Sequence, residues 1–130
     1  MDANHAAQGV NAFYCSDVYT KVGADFDNGW LITAIPPGEH ASIKDTSELL
    51  YLGGDKGWVG KDLIPATLGD PVQKRGTPRD PAVKRINNGI VGDARRSSPE
   101  IGKGVSGMKV EYAVRQNREL LKREGRLSSP

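Results

Sequence analysis

A chain of 130 residues with 37% hydrophobic and only 6% aromatic residues holds one ordinary domain, or a small domain with an extended segment. It has no run approaching the ~20 apolar residues of a membrane span, and its single cysteine, Cys15, excludes an internal disulfide. The net charge of +2 conceals a split: residues 1–70 carry four basic and ten acidic side chains, net −6, and residues 71–130 fourteen and six, net +8, a pattern that favours pairing between copies or with an acidic partner.

The chain opens Met1-Asp2-Ala3-Asn4-His5, with an early acid and without the apolar stretch of a secretory signal, so an intracellular or virion setting is expected and a membrane partner is not. Residues 1–8 read as a tail. Residues 10–20, 30–35, 40–44, 48–52 and 57–60 read as short strands, rich in β-branched and aromatic residues and separated by Asp27-Asn28-Gly29, Pro36-Pro37-Gly38 and Gly53-Gly54-Asp55. The Gly53-Gly54-Asp55-Lys56-Gly57 segment has the chemistry of a tight hairpin turn. Seven of the eight aromatic residues precede residue 60, which puts the expected core in an acidic barrel or sandwich over residues 9–70.

Residues 71–107 differ in kind, with four prolines, six glycines and no aromatic residue, as in extended or low-complexity chain. A short helix is expected near 81–88, where Asp80 can cap, Pro81 suits the first position and Gly89 can end the turn. Residues 108–124 read as an amphipathic helix, followed by a tail to residue 130. Val110, Ala113, Val114, Leu120 and Leu121 form its apolar stripe with Asn117 in the middle, and Glu111/Arg115, Arg115/Glu119 and Glu119/Arg123 are opposite-charge pairs on the other side. Such a stripe needs a surface to cover it, supplied by the barrel or by a neighbouring subunit.

Residues 10–66 resemble a Src-homology-three-like small β-barrel. Val10-Asn11-Ala12-Phe13-Tyr14 resembles the family's opening strand, and Ile35-Pro36-Pro37-Gly38-Glu39 its turn before a core strand. Gly57-Trp58-Val59-Gly60-Lys61-Asp62-Leu63-Ile64 resembles the closing strand and single helical turn. The resemblance implies a mainly β fold with C-terminal α structure: a barrel, an extended Pro/Gly-rich arm and a terminal helix. It does not carry over the family's proline-rich ligand. Tyr14 matches the first groove tyrosine, but Cys15 and Ser16 follow it, Leu49, Leu50 and Tyr51 stand where a tryptophan is needed, and Gly60-Lys61-Asp62 replaces the closing proline and tyrosine.

Catalytic and metal chemistry find little support. His5 and His40 are the only proton shuttles for neutral pH, and neither has the paired ligand spacing of zinc. Cys15, inside an apolar run, reads as a core filler and not as a nucleophile. Asp25-Phe26-Asp27-Asn28-Gly29 places its glycine one position early for a calcium loop and lacks the later bidentate glutamate. The glycines at 53–57 lack the spacing of a phosphate loop, and Glu39, Asp45, Glu48 and Asp55 read as a solvated acidic face. Neither an enzyme nor a cofactor is expected.

The basic residues carry more weight. Lys74, Arg75, Arg79, Lys84, Arg85, Arg95 and Arg96 on the arm, with Arg115, Arg118, Lys122 and Arg123 on the helix, could meet phosphates or an acidic protein surface. The arm has no aromatic residue on which bases could stack. The reading favoured at this level is a non-enzymatic assembly protein that binds copies of itself and other assembly proteins through the helix stripe and the basic arm, in a setting such as a capsid decoration or a head–tail or tail adaptor. A nucleic-acid-binding protein is the alternative, and an adaptor or inhibitor of an acidic host protein the next.

Overall fold

The computed structural model describes residues 13–29, 40–73, 76–78 and 80–125. Among them are three α-helices, α1 (Asp17–Gly29), α2 (Ile43–Gly53) and α3 (Pro99–Arg123), with short 3-10 turns at Gly54–Lys56 and Ile64–Ala66. The described residues contain isolated β-bridges and no strand. The expected Src-homology-three-like β-barrel is therefore corrected: residues 17–20, 43–44 and 48–52, read as strand, are helical, and 57–60 is turn and coil. Residues 10–12, the expected strand at 30–35 and the proline/glycine turn at 35–39 lie outside the described residues.

The strand reading fails for an identifiable reason. Val18, Thr20 and Val22 alternate as a strand would, but Val18 and Val22 are also four apart and share a helix face, on which Val22 is buried. Asp17 at the first turn favours the helix dipole and pairs with Lys21 at 2.7 Å. In α2 the buried positions are Ile43, Ser47, Leu50 and Gly53, a helical stripe whose small and polar members hide it from an apolar count. Its start is held by Asp45, whose carboxylate accepts the Ala41 N–H at 2.8 Å. The expected hairpin turn at residues 53–57 is instead the end of α2, continued by the 3-10 turn.

The chain forms two compact units, one of residues 1–25 with 107–130 and one of residues 26–106. In the second, α2 crosses the first turns of α3. Ser98 caps α3 by accepting the Ile101 N–H at 3.2 Å, and Pro99 occupies the first helical position. The Ser98 N–H in turn donates to Ser47 Oγ at 3.1 Å, and Ser106 Oγ donates to Glu48 at 3.3 Å. Gly102 permits this crossing, because a Cβ there would overlap the Ser47 carbonyl oxygen. Val105, Ile43 and Leu50 are buried in this unit.

Residues 67–70 and 90–94 pair with one another within the same unit, so the described part of the expected arm does not extend freely. Leu68 bridges Asp93, while Asp70 and His40 both bridge Val91. Gly69 lies so close to the Ile90 carbonyl that any side chain there would collide with it. The short helix expected near 81–88 is a turn only: Asp80 accepts the Ala82 N–H at 2.9 Å, and the following residues are irregular.

In the first unit, α1 meets the later turns of α3. Gln116 accepts the Asp17 N–H at 3.2 Å and donates to Ser16 Oγ at 3.3 Å, and Tyr112 donates to Asp25. Cys15 Sγ lies 4.0 Å from the Ala113 carbonyl, a half-buried packing position. α3 starts at Pro99, earlier than the expected residue 108, and stops before Gly125, which takes the left-handed conformation at φ 67.

Candidate functional site

Each unit carries one arrangement of chemical interest. In the second unit it is centred on Asp70, a buried carboxylate. One oxygen accepts the backbone N–H groups of Ile86 at 2.6 Å and Asn87 at 3.3 Å, and the other accepts Arg85 Nε at 3.0 Å and Nη2 at 2.8 Å. The backbone bond from Ile86, with the Arg85 fork, holds this carboxyl below the ordinary aspartate range, against the opposing effect of burial. Both oxygens are engaged, so Asp70 is a latch for the returning loop and not a proton shuttle at neutral pH. A cleft of about 450 Å³ beside it is lined by apolar and polar residues in equal number, among them Pro71, Val72, Val83, Gln73, Asp80 and Arg85.

Asp93 repeats the device on a smaller scale. It accepts the Arg95 backbone N–H at 2.9 Å and the Arg95 guanidinium at 2.7 Å, and its carboxyl is likewise held low, first by the Arg95 side chain. The basic arm residues thus separate into two groups. Lys84, Arg85, Arg95 and Arg96 are all exposed, but in the ion pairs described above Arg85 and Arg95 meet the carboxylates of Asp70 and Asp93, and Lys84 and Arg96 take no part in those pairs. Lys74, Arg75 and Arg79 lie outside the described residues.

On α3 in the first unit, Arg115 lies over the Tyr112 ring at 4.2 Å, and Arg118, Lys122 and Arg123 are exposed. The apolar stripe divides. Ala113, Leu120 and Leu121 are half-buried, whereas Val110 is 62% exposed and Val114 43% exposed. The inner face toward α1 is made by the side chains of Tyr112 and Gln116, while Ala113 meets Cys15 through its backbone carbonyl alone.

Further apolar side chains face solvent around α2. Leu49 and Leu52, three residues apart, are exposed, as are Trp58 and Leu63. The Trp58 ring sits against Gly53, where a Cβ would overlap it, and Lys56 Nζ lies 4.9 Å from the ring centre. The residues 53–60 therefore fold an indole onto the end of α2 without burying it.

His40 is exposed and is used through its backbone bridge to Val91, and His5 lies outside the described residues. Among the described residues no three His, Cys, Asp or Glu side chains group as metal ligands, and no helix is long and apolar enough to cross a membrane. Sequence reasoning missed Asp70, Ser47 and Gly102. Ser98 and Pro99 suit a helix start, but the glycines that follow mask it, and nothing local in the sequence points to Asp70 or Ser47. The chain matches no protein-family model, and comparison with curated proteins and with solved structures finds no match.

Proposed function

We propose that this protein is a non-enzymatic structural component of a homomultimeric assembly. The observation that supports the reading is the placement of its large apolar side chains. Val22, Ile43, Leu50, Ala94 and Val105 make up the buried apolar core of the described residues, while Tyr14, Tyr19, Leu52, Trp58, Leu63 and Val110 are each more than half exposed. Single exposed apolar residues are ordinary. Here they recur along the same elements, with Leu49, Leu52 and Trp58 at one end of α2 and Val110 with Val114 on α3, and aromatic residues of this kind are enriched at the centres of protein interfaces.

The contacts that hold the assembly are on this reading mainly apolar. Arg85 and Arg95 already meet Asp70 and Asp93, which removes two charges from those available to a neighbour or to a nucleic acid. The capsid-decoration and head–tail adaptor settings rested on joining a barrel to an extended arm, and with the barrel corrected they are not carried forward. Size-exclusion chromatography with light scattering at about 50 and about 500 mM salt tests the reading. Association that persists at the higher salt supports it. A monomer at both, or retention only by added nucleic acid, overturns it.

A further inference from the structure

We propose that the outward face of α3 over residues 107–124 is a self-complementary docking surface that pairs antiparallel with the same face of a second copy. This inference rests on the reading of the chain as self-associating and names the surface that does it.

The inner face of these turns is committed to α1, through Gln116 with Ser16 and Asp17 and through Tyr112 with Asp25. The opposite face carries Gly107, Val110, Val114, Asn117 and Leu121. Their spacings alternate three and four, the heptad step by which one helix presents a continuous seam to another. Val110 and Val114 are the exposed centre of the seam at 62% and 43%, and Asn117 and Leu121 continue it half-buried. Gly107 at its start has open space where a Cβ would be, so a second backbone can approach there.

Charge decides the occupant and its direction. Glu111 and Arg118, both exposed, lie one heptad apart on the same flank of the seam. Two copies laid antiparallel set Val110 against Leu121 of the second copy and Val114 against its Asn117. That register puts Glu111 beside Arg118 of the second copy and Arg118 beside its Glu111. The other flank then brings Ala113 beside Leu120, an apolar match. A parallel pair would instead place Ala113 near Arg118, with no opposite charge to meet. The surface is therefore complementary to itself under two-fold rotation, the requirement for a closed isologous contact. Asn117, next to the two-fold, is a polar residue of the kind that selects one register at some cost in affinity.

The test is a charge exchange in the full chain. Glu111→Arg and Arg118→Glu, each made alone, set like charges together at both flanking pairs, and the double variant Glu111→Arg/Arg118→Glu restores opposite charges with the positions exchanged. Sedimentation velocity at low ionic strength should show each single variant weakening self-association by about 10-fold or more, and the double variant returning to within about 3-fold of the parent. Far-UV circular dichroism of each variant should match the parent, because both positions are exposed. If the parent associates and the single variants associate equally well, or the double variant is no better than the singles, the α3 contact is wrong while self-association stands. If the parent is a monomer throughout, both the contact and the reading beneath it fail.

Discussion

Asp70 and Arg85 form a forked ion pair, Nε at 3.0 Å and Nη2 at 2.8 Å from one carboxylate oxygen, that ties the loop after residue 80 back to residues 68–70. The other oxygen holds the Ile86 N–H. A residue from the acidic half of the chain thereby fixes one from the basic half, inside a single unit.

Asp70→Asn keeps the shape and removes the charge, and it should lower stability at neutral pH. The sign with pH follows from the depressed carboxyl. The unfolded chain takes up its proton near the ordinary aspartate value of 3.8 and the folded chain only below it, so the contribution is complete at neutral pH and is lost as the pH falls through that range. Denaturant midpoints between pH 7 and pH 3 should show the gap between parent and variant narrowing toward the acid end. A gap of constant size would mean that the charge of Asp70 contributes nothing.

Two glycines of α3 make opposite predictions. Gly102→Ala forces a Cβ into the Ser47 carbonyl and should destabilise by about 1–3 kcal/mol despite the better helix propensity of alanine. Gly107→Ala meets open space and should stabilise by up to about 1 kcal/mol. Chemical denaturation at low protein concentration reads both. Equal effects at the two positions would contradict the close approach of α2 and α3.

Ser47 is fully buried and its Oγ accepts the Ser98 N–H at 3.1 Å. Ser47→Ala leaves that donor without its partner at the cap of α3, at a cost of about 1–3 kcal/mol. The nearby Ile43→Ala opens a cavity in the same contact and should cost about 2–5 kcal/mol. Thermal unfolding of the two variants would test the packing directly, and a Ser47→Ala midpoint equal to the parent's would show that the cap is satisfied otherwise.

The later turns of α3 were legible in the sequence because Val110, Ala113, Val114, Leu120 and Leu121 recur at helical spacing beside opposite-charge pairs. Its first turns were not, because Gly102, Gly104 and Gly107 resemble loop chemistry, and only the contact of Gly102 with Ser47 explains a glycine there. α1 and α2 were misread for a related reason. Short segments with Val18, Thr20 and Val22, or with Leu49, Leu50 and Tyr51, satisfy strand and helix patterns alike, and tertiary packing of Val22 and Leu50 decides between them. The Asp70 latch left no local signal, since its partners lie fifteen or more residues away. Of the candidate contacts, the sequence pointed to the α3 stripe, while its division into an inner and an outer row required the placement of α1.

Sedimentation equilibrium of the full chain over a wide concentration range tests self-association most directly. A weight-average mass that climbs above 14.0 kDa as concentration rises, in buffer without any other macromolecule, is the predicted result. A mass that stays at the monomer value over the whole range would contradict the assembly reading and leave the exposed apolar faces of α2 and α3 to be covered by a different protein.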